Sequence, residues 1–190
     1  MARGRSNNLL SQVMTTFEGF KELSNKGNVV PVCETILADA ETPVSVYLKI
    51  KDESPYSFLL ESVEGGEKLG RYSFLGYNPF MSFTVNGDRF EIKPFHDDVE
   101  FLPTIVSRTD HPLRALKKIF GHIKAAQGME LLRLSGGAVG YFGYEAVGLV
   151  ERVPVVGHDD LRVPDAFLLF YDVVLVFDNV RHQLFLVSNG

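Results

Sequence analysis

At 190 residues, with 45% hydrophobic and 23% charged residues, the chain can bury one substantial core or two small ones and has an ordinary globular composition. A net charge of −5 offers no basic face to nucleic acid, and the single cysteine, Cys33, excludes an internal disulfide and a cysteine-built zinc site. Cys33 itself reads as a small buried apolar residue.

Residues 1–16 open with Met1-Ala2-Arg3-Gly4-Arg5-Ser6, basic and polar with no long apolar run behind it. They read as a loose terminus rather than a secretory signal, which makes cytoplasm the expected location. Phe17, Phe20 and Leu23 then recur at helical spacing, with Gly27 as a stop. Val29 to Leu37 reads as a strand. Thr42-Pro43 resembles a helix start, a capping hydroxyl followed by a proline whose missing N–H costs nothing in the first turn, and the helix is expected to run to about Lys51. Phe58 to Leu60 and Tyr72 to Leu75 read as buried strands around a charged, glycine-rich segment. Phe80 to Val85 and Arg89 to Phe95 flank Asn86-Gly87-Asp88, a hairpin signal.

Residues 96–110 read as a polar loop. Asp110-His111-Pro112 opens an amphipathic helix with Leu113, Leu116, Phe120 and Ile123 inward, Ile119 alongside, and Arg114, Lys117, Lys118 and Lys124 outward. Gly137 to Tyr144 is a glycine-interrupted strand passing close to other backbone, and Val147 to Val156 begins as helix and ends as loop. Phe167 to Phe177 and Gln183 to Val187 form a second hairpin. Seven or eight strands and three helices, with neighbours often hairpin-linked, give an α+β class with largely antiparallel sheet and flanking helices. The longest apolar run, 166–177, is too short for a membrane span and is broken by Asp172.

Catalytic patterns are lacking. The glycines at 136, 137, 140 and 143 miss the dinucleotide spacing, and Gly65-Gly66-Glu67-Lys68-Leu69-Gly70 lacks the ending of a phosphate loop. His96, His111, His122, His158 and His182 show no ligand spacing, and no serine or cysteine sits in a nucleophile context. The end of the first short strand is more suggestive. Leu60-Glu61-Ser62 places a carboxylate and a hydroxyl at the rim of the core, where the charged ends of an amino acid find partners of fixed geometry. On composition alone, Glu61 also reads as a turn cap with Arg71 pairing to it on the surface.

The wording of this segment, Phe58-Leu59-Leu60-Glu61-Ser62 followed by Gly70-Arg71-Tyr72-Ser73-Phe74-Leu75-Gly76, closely resembles the amino-terminal region of anthranilate synthase component I. The resemblance extends through Leu37-Ala38-Asp39-Ala40-Glu41-Thr42-Pro43-Val44, Gly136-Gly137-Ala138-Val139-Gly140-Tyr141-Phe142-Gly143-Tyr144-Glu145 and Pro164-Asp165-Ala166, from about Phe17 to Ser188. It implies that 17–190 form the regulatory domain of an enzyme making anthranilate from chorismate and glutamine-derived ammonia. In that family the carboxy-terminal chorismate-binding catalytic domain, the magnesium it requires and the docked glutamine amidotransferase subunit lie outside a chain of this extent. The resemblance further implies a feedback L-tryptophan site on Pro43, Leu60, Glu61, Ser62 and Arg71, with Tyr72 and Ser73 as weaker neighbours and no catalytic or metal residue in this chain. Glu61 is expected to meet the ligand ammonium, Ser62 its polar end, and Pro43 with Leu60 its indole. The similar amino-terminal region of aminodeoxychorismate synthase, and a stand-alone amino-acid-binding module, are the alternatives.

Overall fold

The computed structural model describes residues 16–61, 70–96, 106, 110–126, 134, 136–153 and 161–190. The chain divides into two compact units that interleave in sequence: unit 1 comprises Met1–Asn78, Lys124–Gly137 and Tyr171–Gly190, and unit 2 comprises Pro79–Ile123 and Ala138–Phe170.

Unit 1 is built on a five-stranded sheet in the order β1-β9-β8-β3-β2, from β1 (Pro31–Leu37), β2 (Ser57–Leu60), β3 (Tyr72–Tyr77), β8 (Val173–Asp178) and β9 (Gln183–Asn189). Every pairing in it is antiparallel. Strand pleating turns alternate residues to opposite faces, so the aligned row Leu59, Leu75, Leu175 and Leu186 lies on one face. Helix α2 (Pro43–Ile50) covers that face, placing Val46, Tyr47 and Ile50 against Leu59, Leu75, Leu175, Phe177 and Leu184. Its start is as the sequence implies. The Thr42 hydroxyl accepts from the Ser45 amide at 3.1 Å, the Ser45 hydroxyl accepts from the Thr42 amide at 2.9 Å, and Pro43 fills the first turn. Helix α1 (Phe17–Ser24) is capped by Thr16, the one described residue of the expected loose segment, and contains no buried residue.

Unit 2 carries a four-stranded sheet in the order β5-β4-β7-β6, from β4 (Met81–Asn86), β5 (Arg89–Pro94), β6 (Gly137–Phe142) and β7 (Ala166–Tyr171). Its core is a register of matched pairs, Met81 with Phe170, Phe83 with Leu168 and Val85 with Ala166, onto which α3 (Pro112–His122) packs Ala115 and Ile119. Full burial of a ring such as Phe83 or Phe170 contributes about 2–3 kcal/mol. The fully buried residues of α3 are Pro112, Ala115 and Ile119, with Leu116 and Ile123 of the expected face packed half-buried beside them. Phe120 stays 44% exposed with its ring 5.5 Å from Phe170. A short 3-10 helix, Tyr144–Leu149, follows β6, three residues earlier than the pattern suggests.

Two expectations change in detail. The hairpin at 86–88 pairs Asn86 with Arg89, so its loop is Gly87-Asp88, and Gly87 alone carries a positive φ, 60°. A glycine in the first of two loop positions is the signature of a type II′ turn. The apolar run 167–177 is not one strand. It breaks at Asp172 into β7 and β8, which belong to different sheets. The Asp172 carbonyl leaves the ladder to accept from both the backbone and side-chain N–H groups of Asn189, each at 2.9 Å.

Candidate functional site

The residues singled out by the sequence all belong to the part of the chain that forms unit 1. Pro43 is buried in the first turn of α2, whose capped N-terminus also holds Glu41 through Ser45 Oγ at 2.5 Å and an ion pair to Lys49. Leu60 ends β2 and is 45% exposed; Glu61 follows, exposed, and Ser62 lies outside the described residues. Because Leu59 packs toward α2, pleating turns Leu60 to the opposite face of the sheet from that helix.

Arg71, Tyr72 and Ser73 are brought together by a network that local sequence does not announce. The Arg71 guanidinium grips Asp178, Nη2 donating to Oδ2 at 2.7 Å and Nε reaching both carboxylate oxygens at 3.2 Å. The surface pairing with Glu61 is thus not formed: Arg71 is 31% exposed and its partner Asp178 is fully buried. The Tyr72 ring lies 4.9 Å from the guanidinium carbon. Asp178 Oδ1 also accepts from the amides of Val180 and Arg181, at 3.1 and 3.2 Å, and closes the β8–β9 turn. Burial pushes the Asp178 carboxyl upward, but Arg71 and those two amides outweigh it and hold it below the usual carboxylate range. Asn179 completes the clamp. Its amide donates to the Arg71 carbonyl at 2.8 Å, and its Nδ2 donates to the Gly70 carbonyl at 3.2 Å and to buried Ser73 Oγ at 3.0 Å.

A second polar group sits beneath α2. The Ser57 hydroxyl donates to Tyr47 Oη at 3.2 Å, and Tyr171, almost wholly buried, meets Phe58 edge-on at 4.9 Å. Burial, with Tyr47 nearby, raises the Tyr171 hydroxyl to about 12. Asp178 and Asn179 escaped the sequence reading; the available signal was a carboxylate closing an otherwise apolar strand, a position that demands a cationic partner.

Among the described residues no group of three or more His, Cys, Asp or Glu side chains comes together. No described helix is long and apolar enough to cross a membrane.

No protein-family model matches the chain. Individual proteins do. It is 36% identical to anthranilate synthase component 1 of Acetivibrio thermocellus over 92% of its length, and 42% identical to that of Pseudomonas putida over 88%. The protein of the same name from Synechocystis is 36% identical over 90%. The chain spans about a third of the length of these relatives, 34%, 33% and 33% respectively. The crystal structure of anthranilate synthase component I from Streptococcus pneumoniae TIGR4 aligns with TM-score 0.41 and 22% identity, over 80% of this chain and 30% of that one. By its sequence, carried over nearly its whole length, the chain is a relative of anthranilate synthase component I and corresponds to that enzyme's amino-terminal region.

Proposed function

We propose that the chain supplies the amino-terminal side of a tryptophan feedback site to an enzyme that converts chorismate and glutamine-derived ammonia into anthranilate. The observation that carries this reading is the identity of 36% and 42% to proteins named anthranilate synthase component 1 over about nine-tenths of the chain. Glu61 meets the ammonium of L-tryptophan, Ser62 hydrogen-bonds at its polar end, and Arg71 meets its carboxylate. Pro43 and Leu60 offer apolar surface to the indole, with Tyr72 and Ser73 supporting Arg71. Chorismate, magnesium and the glutamine amidotransferase subunit act on the parts of the enzyme beyond this sequence. Tryptophan then lowers turnover by favouring a less active state. A coupling of about 1–3 kcal/mol is typical, and it is reciprocal, so chorismate weakens tryptophan binding by the same factor.

The test is a calorimetric titration with L-tryptophan of the wild-type protein and a Ser62→Phe variant, with L-phenylalanine as control. The chain contains no tryptophan, so ligand indole emission reports binding independently. Selective binding that disappears in Ser62→Phe is expected. Anthranilate formation by the intact enzyme that is indifferent to L-tryptophan overturns the reading.

A further inference from the structure

Arg71 is a candidate ligand contact whose side chain is already gripped from two directions. Asp178 holds Nε and Nη2, and the Tyr72 ring lies against the guanidinium at 4.9 Å. The carboxylate that grips it is itself held in place. It is fully buried, and its Oδ1 is also bonded to the Val180 and Arg181 amides. The turn bearing it is fastened to the start of β3 by Asn179, which bonds the carbonyls of Gly70 and Arg71 and the hydroxyl of Ser73. A planar fork held along one edge by a fixed acceptor has a single orientation, and the edge carrying Nη1 is the one Asp178 does not use. The pair is neutral overall. Its attraction for a carboxylate is therefore directional rather than long-range, and orientation sets its selectivity.

We infer that Asp178 is a positioning residue for ligand recognition: without touching the ligand, it aims Arg71 so that the site prefers an amino acid over the corresponding amine. The inference rests on the reading above, in which Arg71 meets the carboxylate of L-tryptophan. A carboxylate serving only to staple β3 to the β8–β9 turn would stabilise the fold and be indifferent to whether the ligand has a carboxylate.

The experiment measures, in the intact protein, the affinities for L-tryptophan and for tryptamine, which lacks the carboxylate, in wild type, Asp178→Asn, Arg71→Lys and the double variant. Asp178→Asn keeps the size of the side chain and an acceptor for the turn amides. The expected result is a loss of about tenfold for L-tryptophan in Asp178→Asn, one charge-assisted hydrogen bond misaimed, with tryptamine affinity unchanged. Arg71→Lys gives the same loss, and the double variant is no weaker than either single, because both act through one bond. Equal weakening of both ligands in Asp178→Asn, or of neither, overturns the positioning role. Should Asp178→Asn not fold, Asp178→Glu retains the charge and displaces it by a methylene, and must lose the same discrimination. The two layers separate cleanly. If wild type binds neither ligand, or Arg71→Lys still discriminates, the ligand reading of Arg71 fails. If Arg71→Lys loses discrimination and Asp178→Asn keeps it, only the role of Asp178 fails.

Discussion

Unit 1 buries a carboxylate completely and surrounds it with an arginine and two backbone amides, whereas the described part of unit 2 buries no charged side chain and is sealed by matched apolar pairs. Both units lay a helix on an antiparallel sheet, α2 on one and α3 on the other. The difference lies in what locks the strands. In unit 2, Asp165 does comparable turn work with less at stake, accepting from the Gly87 amide at 2.5 Å while its own amide donates to the Val85 carbonyl at 2.8 Å. A partly exposed Asp can lose a partner and still be hydrated; a fully buried one cannot. The pair is therefore the feature of unit 1 that packing alone does not account for, and its arginine is one of the residues proposed above to bind a ligand.

The comparison breaks most sharply at Arg71. Replacing it by alanine leaves the buried Asp178 charge with only the two turn amides and should cost about 4 kcal/mol near neutral pH. Hydrogen exchange should accelerate along β3, β8 and β9 and remain slow along β4 and β7. A uniform loss of protection would mean that the two units unfold as one. The pH dependence follows from the lowered carboxyl of Asp178. Its folded value lies below the unfolded one near 3.9, so the stabilisation is complete above that range and is lost as pH falls through the folded value. Wild type and Arg71→Ala should consequently converge in stability as the solution is made acid, and a gap that persists below the carboxylate range would show that packing, not charge, is what Arg71 supplies.

Unit 2 has its own point of greatest sensitivity, and it is a glycine. A Cβ placed on Gly140 of β6 would stand 1.9 Å from the Phe167 carbonyl oxygen, so Gly140→Ala must push β6 away from β7. About 3 kcal/mol is expected, at the upper end of what overpacking costs. The exchange pattern should be the reverse of that for Arg71→Ala, with β6 and β7 loosened and β8 and β9 unaffected.

These two sites also mark how far the sequence could be read. Local signals sufficed where the physics is local. The threonine–proline start of α2, the glycine in the β4–β5 turn and the close backbone crossing at Gly140 each follow from one or two residues. The candidate ligand residues came from the wording of a motif, and Glu61 and Arg71 then looked like partners because they are near in the chain. Arg71 instead pairs with a residue 107 positions away, through a strand pairing that no local pattern encodes. The break at Asp172 was hidden for a related reason. An uninterrupted apolar run is consistent with one long strand, and only the tertiary bonds from Asn189 to the Asp172 carbonyl show where it changes sheets. The burial of Ala115 at the centre of the α3 face belongs here too: Leu116, Ile119 and Ile123 pack on the core as their spacing implies, but how closely the helix approaches the sheet is a tertiary matter.

The next contrast lies at alkaline pH, where unit 1 holds a second buried titratable group. Tyr171 is 3% exposed, and burial first, then the neighbouring Tyr47, raises its hydroxyl to about 12. A raised folded value favours the neutral phenol, so stability is intact below the unfolded value of about 10 and is lost as pH climbs toward the folded one. One phenol should therefore titrate late by tyrosinate absorbance, and Tyr171→Phe should abolish that late step while extending the folded range upward. A variant that unfolds at the same alkaline pH as wild type would place the sensitivity elsewhere.

The smallest effect tests a glycine needed for its backbone angle rather than for space. Nothing lies within 4 Å of a Cβ built on Gly87, yet its φ is +60°, a region where an L side chain meets its own backbone. Gly87→Ala should therefore cost about 1 kcal/mol, a third of the Gly140 effect, with no loosening of β6. The energy appears in the turn alone, because the Gly87 amide still donates to Asp165 and the Asn86–Arg89 pair still closes the ladder. Gly87→Asn is the sharper variant, since asparagine tolerates positive φ better than alanine. If asparagine recovers most of the loss, the cost is one of φ; if both variants fall equally far, positive φ is not what sets the cost at this position.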